Sequence, residues 1–414
     1  MSAAAAACLF CSAPLDATVV DLGMSPLCEN FLAADELNRM EPFYPLHVHV
    51  CQRCWLVQVE EYVDPNGIFA RDYRYFSSFS ESWLRHAEHF AERMTGELGL
   101  GPGSLVVELG SNDGYLLQYF AKAGVPVLGV EPAGAVAEAA RARGVPTRVE
   151  FFGEGSAEAL RAEGVSADLV VGNNVLAQVP APNDFVAGIA RILAPTGTVT
   201  IEFPHLMRMV EENQFDTIYH EHFSYFSFTT VREIFAAHGL AVFDVEELPT
   251  HGGSLRIFAR AAADESRPVS ERAVELLTRE EAAGVCTLGY YESFARGVEH
   301  TKRRLLEFLI RAKDEGKLVV GYGAPGKGNT LLNYCGIRTD LLAYTVDRNV
   351  HKHGRFTPGT HIPIHPPERI EEDRPDYVLI LPWNLRNEIA AQLAGVRAWG
   401  GRLVVPIPEL EVLA

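Results

Sequence analysis

The sequence predicts an α/β protein in three parts: a small cysteine-bound module, a doubly wound nucleotide-binding sheet, and a second, smaller Rossmann-like α/β domain. Three observations predict it. Two Cys-x-x-Cys pairs stand at Cys8/Cys11 and Cys51/Cys54. A buried-strand pattern, Leu105-Val106-Val107-Glu108-Leu109, runs into the glycine turn Gly110-Ser111-Asn112-Asp113-Gly114. A second strand pattern, Lys317-Leu318-Val319-Val320, runs into Gly321-Tyr322-Gly323-Ala324-Pro325-Gly326. Strand, glycine turn and helix open a doubly wound sheet, and the glycines let the backbone approach a ligand at its carboxyl edge.

Composition bounds the function. A chain of 414 residues is long enough for two or three domains. Hydrophobic content of 48% and charged content of 22% are those of a globular protein. The net charge of -18 argues against a nucleic-acid partner, whose phosphates call for a basic surface. No apolar run is long enough to span a membrane. Residues Met1 to Ala7 lack the basic region and long apolar core of a secretory signal. The expectation is a cytoplasmic protein, in which seven cysteines are not expected to form a disulfide scaffold.

Residues 1–68 form the first module. Each Cys-x-x-Cys pair can sit on a tight turn and aim two thiolates at one point. Two such knuckles, Cys8/Cys11 and Cys51/Cys54, complete a tetrahedral zinc site. Four cysteines leave no open ligand position, so the zinc is expected to be structural. Cys28, Cys286 and Cys335 stand alone and are expected as packed side chains. Residues Val48 to Val63 alternate apolar and polar in part, which places the second knuckle within a small sheet.

Residues 69–248 carry the first glycine turn. Glu81 to Leu98 reads as an amphipathic helix with Trp83, Leu84, Ala87, Phe90 and Met94 on one face, stopped by Gly101-Pro102-Gly103. Tyr115 to Ala123 reads as the helix after the turn. The next strand, Val127 to Val130, ends in Glu131, an acidic residue that can accept from both ribose hydroxyls. A later strand, Asp168 to Val171, leads to Asn173, Asn174 and Gln178. A helix through Ile189 to Leu193 precedes a strand over Gly197 to Phe203. A lone glycine turn is weak evidence, because NAD enzymes use one too. Glu108-x-Gly110-x-x-x-Gly114 with Glu131 one strand later resembles the pattern of class I methyltransferases that use S-adenosylmethionine (SAM), and the spacing does not fit G-x-G-x-x-G. SAM is therefore the expected cofactor, with Glu108, Gly110, Asn112, Asp113, Gly114, Glu131, Asn173 and Asn174 around it.

The stretch Phe215-Asp216-Thr217-Ile218-Tyr219-His220-Glu221-His222-Phe223-Ser224-Tyr225 follows that sheet's late strand. Burying its His, Glu and Asp costs several kcal/mol, as an order of magnitude, unless they are paired. It reads either as a satisfied hydrogen-bond network in a core or as a wall where catalytic pKa values are set. Its place after a strand, on the edge where ligands sit, favours the second.

Residues 249–414 form the third part. His251-Gly252-Gly253 reads as a turn into a strand, and Glu265 to Lys313 as a long helical region. The turn at Gly321, Gly323 and Gly326 matches G-x-G-x-x-G, with the next helix near Asn329. Free N–H groups and a helix amino terminus can bind a diphosphate, with Lys327 adding a point charge. An NAD-dependent oxidoreductase is thus a rival reading. Strand-like runs recur at Leu341 to Val346, Tyr377 to Leu381 and Arg402 to Val405. A rival outside enzymology is a zinc-stapled scaffold that only senses SAM.

Five features in order, the two cysteine pairs, Glu108 to Gly114, Tyr219-His-Glu-His222, Gly321 to Gly328 and Asp347-Arg-Asn-Val-His-Lys352, resemble the nucleotide-deoxysugar C-methyltransferases over essentially the whole chain. The resemblance implies a zinc module, a class I SAM domain and a carboxyl-terminal Rossmann-like domain. It implies methylation of carbon 3 or carbon 5 of an NDP-4-keto-6-deoxyhexose, for antibiotic sugars, in a cleft between domains. Carbon 3 of a dTDP-linked sugar is the expectation and carbon 5 the alternative. The family's catalytic group falls on Tyr219, Glu221 and His222, with His222 as base. Tyr75 is assigned to the cofactor. Tyr73, Gln178, Gly323, Lys327, Asn329, Asp347 and Lys352 are assigned to the nucleotide sugar. Gln178 departs from the family's usual histidine; it can hydrogen-bond a sugar but cannot take a proton at neutral pH. The oligomeric state is left open.

Overall fold

The computed structural model describes residues 6–64, 67–68 and 76–413. Two compact units emerge. One gathers Met1–Leu15, Cys51–His205 and Phe223–Cys286; the other gathers Asp16–Val50, Leu206–His222 and Thr287–Ala414.

In the chain's first part, β1 (Ala17–Ser25) and β2 (Tyr44–Val50) pair antiparallel, and β3 (Val57–Val59) follows the second knuckle. Helix α1 (Glu81–Glu97) starts where the Ser80 hydroxyl accepts from the Trp83 N–H, and it buries Ala87, Phe90, Ala91 and Met94. Then β4 (Val106–Leu109), α2 (Leu117–Lys122), β5 (Val127–Val130), α3 (Gly134–Ala142), β6 (Thr147–Arg148), α4 (Glu154–Ala162), β7 (Ala167–Asn173), α5 (Pro182–Ile192) and β8 (Leu193–Pro204) alternate as strand and helix. After α6 (Leu206–Glu211) come β9 (Ser224–Tyr225), which pairs with β3, then α7 (Phe228–Ala237), β10 (Leu240–Leu248) and β11 (Ser254–Ala261).

The first unit's main sheet has seven strands in the order β10-β11-β8-β7-β4-β5-β6. The strands from β8 to β6 run parallel, while β10 and β11 are antiparallel. Strand periodicity divides its residues between two cores. Val106, Leu169 and Val171 pack with Phe90, Met94, Leu117 and Phe120. Val107, Leu109 and Val170 pack with Phe185, Ile189, Ile234 and Phe235. Central β4 has β5 on one side and β7 on the other, so the order reverses at its carboxyl end, where ligands of open α/β sheets bind.

The helical region expected over 265–313 is two helices, α8 (Glu271–Ala283) and α9 (Leu288–Asp314). Pro268 precedes the Ser270 cap, and Gly284 ends α8 at φ 81°, a left-handed turn that glycine takes without strain. The second unit then adds β12 (Val319–Tyr322), α10 (Gly326–Cys335), β13 (Thr345–Val346), β14 (Ile364–His365), α11 (Arg369–Asp373), β15 (Tyr377–Ile380), α12 (Arg386–Gln392), β16 (Arg402–Val405) and β17 (Glu411–Leu413). Its sheet order is β14-β13-β12-β15-β16-β17, parallel except at β17. Helix α10 begins at Gly326, three residues before the expected Asn329, with Pro325 at the N-cap position and its carbonyl accepting the Asn329 N–H at 3.1 Å. The strand expected from Leu341 is confined to Thr345–Val346. Among the described residues, no helix is long and apolar enough to cross a membrane.

Candidate active site

The four cysteine sulfurs of Cys8, Cys11, Cys51 and Cys54 lie within 4.8 Å of one another. The two knuckles are built alike. Ser12 donates its N–H to the Cys8 carbonyl at 2.9 Å, and Trp55 to the Cys51 carbonyl at 2.8 Å. Ser12 and Trp55 both take left-handed backbone, with φ 59° and 61°. Gln58 braces the set, donating to Cys8 Sγ at 3.4 Å while its Oε1 accepts the Leu9 N–H at 2.8 Å. Four clustered sulfur donors, with no carboxylate among them, fit a closed tetrahedral zinc site.

At the carboxyl end of β4, Gly110 takes φ 65°, and a Cβ there would stand 3.0 Å from Val175 Cγ2. Only glycine lets the backbone make this turn so close to its neighbour. Glu131 ends β5, 5% exposed. Its Oε2 accepts the Asn112 N–H at 3.0 Å and its Oε1 the Ala133 N–H at 2.8 Å. Each oxygen keeps a second lone pair for a ligand hydroxyl. Burial raises its pKa, against those two N–H groups. Glu108 is wholly buried; burial pushes its carboxyl well up, opposed by the Tyr115 hydroxyl.

The side chains of Asn112 and Asp113 turn to the protein. Asn112 Oδ1 accepts the Ser77 N–H at 2.8 Å. Asp113 accepts from the Ser78 hydroxyl and pairs with Arg143 at 2.7 Å. Together they fasten the segment before α1 to the glycine turn. Tyr73 and Tyr75 lie outside the described residues.

Beyond β7, Asn173 donates to the Tyr115 hydroxyl at 3.1 Å. Asn174, at φ 55°, has its side-chain amide 2.9 Å from His251 Nε2, and His251 is also left-handed at φ 55°. The Trp83 indole stacks on Tyr115 and on His86, with centroids 5.8 and 5.0 Å away, and meets His251 edge-on. Beneath, buried Glu202 accepts from the Thr250 hydroxyl at 2.7 Å and faces Arg256 and His86. Burial alone would raise the Glu202 carboxyl, but His86 and Arg256 hold it at about 2. Sequence reasoning missed Trp83, Tyr115 and His251 as members of this edge. The one signal available was a histidine before two glycines, at Gly252 and Gly253. Gln178 sits in the turn Leu176–Gln178, half-buried, and the Phe223 N–H donates to the neighbouring Ala177 carbonyl at 2.7 Å.

In the second unit, the turn over Phe215–Thr217 shapes the chemistry stretch. His222 Nδ1 lies 3.1 Å from the Thr217 carbonyl. A carbonyl only accepts, so Nδ1 carries a proton, and in the neutral ring Nε2 carries the lone pair. The His222 N–H returns to the Tyr219 carbonyl at 2.9 Å, which brings the two rings to a centroid distance of 4.2 Å. His220 is directed elsewhere, with Nε2 3.1 Å from the Pro45 carbonyl. Glu221 is 7% exposed, and Cys28 Sγ stands 3.6 Å from its Oε1. Burial, then the charge of Glu29, pushes its carboxyl up to about 8. Asp216, wholly buried, accepts from the Trp383 indole at 2.7 Å; burial pushes it up to about 7, against the charge of Lys327.

The residues assigned to a nucleotide sugar on the second turn are engaged within the unit. Gly323 donates to Val346 at 2.6 Å, and Lys327 to Asn384 at 2.9 Å over the Trp383 ring. Asn329 donates to the Cys28 carbonyl at 2.6 Å. Asp347 accepts the Ala324 N–H at 2.7 Å, and Lys352 donates to the Ala324 carbonyl at 2.8 Å.

A glycine turn at a sheet switch point, an acidic residue closing the next strand and a four-cysteine module define a SAM-dependent methyltransferase with a structural zinc. Three family models match along the chain: a zinc binding domain over 8–69, a methyltransferase domain over 83–245 and a C-methyltransferase C-terminal domain over 249–408. The C-methyltransferase NovU of Streptomyces niveus is 38% identical over 398 residues, spanning 96% of this chain and 94% of that protein. The chain belongs to the C-methyltransferase family. Solved structures give distant likenesses. Magnesium protoporphyrin IX methyltransferase (ChlM) of Synechocystis PCC 6803 with bound SAM is 16% identical, with a TM-score of 0.35, over 49% of this chain and 100% of its own. The 1,6-didemethyltoxoflavin-N1-methyltransferase of Burkholderia thailandensis is 19% identical, with a TM-score of 0.33, over 44% of this chain and 80% of its own. The family assignment rests on NovU and the three models.

Proposed function

We propose that this C-methyltransferase adds a methyl group to the carbon beside the ketone of an NDP-4-keto-6-deoxyhexose, dTDP-linked and at carbon 3, for an antibiotic deoxysugar. Carbon 5 of the same sugar class is the alternative. The observation that carries the reading is the His222–Thr217 hydrogen bond, which leaves Nε2 as the basic nitrogen beside the Tyr219 ring.

A carbon next to a ketone loses a proton because the electron pair spreads onto the ketone oxygen. His222 Nε2 takes that proton as the C–H bond breaks. The Tyr219 hydroxyl donates to the growing enolate oxygen. Glu221, neutral at pH 7, holds a sugar hydroxyl or the same oxygen as a donor. SAM, which the Gly110–Gly114 turn would hold with its ribose on Glu131, would supply an electrophilic methyl group to the enolate carbon, its S–CH3 bond breaking to leave S-adenosylhomocysteine. Zinc takes no part in these steps, because four cysteines leave it no open position. Mass and NMR analysis of the product formed from a dTDP-4-keto sugar tests the reading. A new C–CH3 group on carbon 3 supports it, the same group on carbon 5 selects the alternative, and methyl on oxygen or nitrogen overturns both.

A further inference from the structure

The second glycine turn carries a cluster that the reaction does not absorb. Cys28 and Glu29, from the β1–β2 connection, lie against it. A Cβ at Gly326 would meet Cys28 Sγ at 2.9 Å and Glu29 Oε1 at 3.3 Å, so the close approach needs glycine. The Gly326 N–H, at the start of α10, faces the Glu29 carboxylate; burial raises the Glu29 pKa, and Lys352 and this N–H oppose it. In nucleotide-binding turns this is where a ligand's phosphate sits. The Ala324 N–H is likewise taken, by Asp347. Lys352 Nζ stands 3.3 Å from Glu29 Oε2. Cys28 meanwhile presents its thiol to Glu221 Oε1, and its carbonyl is anchored by Asn329.

Charge decides what such a cluster does. Glu29, Asp347 and Glu221 are three carboxyls, Lys352 is the cation among them, and the Cys28 thiol is kept neutral chiefly by burial. Lys352 pairs with Glu29, whereas Glu221 is the most deeply buried of the three and its Oε1 meets the Cys28 thiol, so Glu221 is the one that keeps a proton.

We propose that Glu29 is a positioning residue: it fills the anion place of the second glycine turn with an internal carboxylate and, beside Lys352, keeps Glu221 neutral as a hydrogen-bond donor. The turn then anchors the chemistry stretch instead of a dinucleotide, and Thr330 in α10 adds its own hydrogen bond to the Ile218 carbonyl at 2.9 Å. The catalytic consequence, though not the charge arrangement, rests on the reading of Glu221 given above.

Infrared titration of the full-length enzyme tests it, the neutral C=O band of Glu221 being identified by its loss in Glu221→Gln. In Glu29→Gln the midpoint of that band falls by roughly one pH unit or more. In Glu29→Asp, which keeps the charge, it stays near the wild-type value. A midpoint unmoved in Glu29→Gln, or a Glu221 already ionised at neutral pH in the wild type, overturns the proposal. Should Glu29→Gln fail to fold, the wild-type titration still decides it. The pH profile of methyl transfer separates the two readings. If it follows the midpoint, both stand. If the midpoint moves and the profile does not, Glu29 keeps its role and Glu221 leaves the catalytic group.

Discussion

The Nδ1 atom of His222 lies 3.1 Å from the carbonyl oxygen of Thr217, which fixes the tautomer of the imidazole. Replacing His222 with Asn keeps some of the hydrogen bonding and removes the proposed base. Methylation is expected to fall by roughly two to four orders of magnitude. With S-adenosylhomocysteine in the cofactor site, the wild-type enzyme is expected to exchange one sugar α-hydrogen with deuterated water, and His222→Asn to lose that exchange equally. SAM binding survives. A variant that stops methylating yet exchanges at the wild-type rate would move the proton acceptor to Tyr219 or to a water on Gln178.

Glu131 receives two backbone N–H groups and presents its remaining lone pairs outward. Glu131→Ala removes the proposed ribose contacts and strands both N–H groups, so SAM binding is expected to weaken by about 1–3 kcal/mol. Nucleotide-sugar affinity stays nearly unchanged. Calorimetry that finds SAM affinity unaltered removes Glu131 from the site.

Metal analysis is expected to find about one zinc per chain. Cys51→Ser loses the metal and lowers the thermal midpoint, since zinc affinity here is folding free energy. Cys286→Ser, outside the cluster, keeps both. Zinc-free protein of undiminished stability and activity would rule out the structural role.

Asp216 titrates at about 7 in the folded chain against an ordinary 3.8. Between those values the folded state holds a proton that the unfolded state has released. Its contribution to stability is therefore full below 3.8 and is lost as pH rises through about 7. Asp216→Asn, which still offers the Trp383 indole an acceptor, is expected to flatten the fall in stability across that window. Denaturant titrations at a series of pH values check this, and parallel curves for the two proteins would show that Asp216 is not the titrating group.

Much of this was legible in the sequence because it depends on local spacing. Paired cysteines, a strand running into glycine, and an acid at the end of the next strand each occupy a few consecutive residues. Long-range pairings left no such trace. Cys28 meets Asn329 across 301 positions, and nothing near either residue announces the other. Asn112 and Asp113 look like ligand contacts because they sit in the turn, yet their side chains hold Ser77, Ser78 and Arg143. The second glycine turn shows a related long-range pairing. Its backbone pattern is that of a phosphate site, and a carboxylate from a remote loop faces it. The late start of α8 was visible in Pro268 and the break between α8 and α9 in Gly284, but helix-forming residues on both sides masked them.

Each of the two compact units is assembled from three separate stretches of chain, and one boundary falls between His222 and Phe223. A single cut anywhere between residues 16 and 286 therefore yields neither unit whole. Ribosomal synthesis cannot complete the first before Cys286 has emerged, by which time much of the second is still unmade. Truncations ending inside that span would report lost folding rather than lost function. Swapping substrate specificity between relatives calls for exchanging matched internal segments, not whole halves.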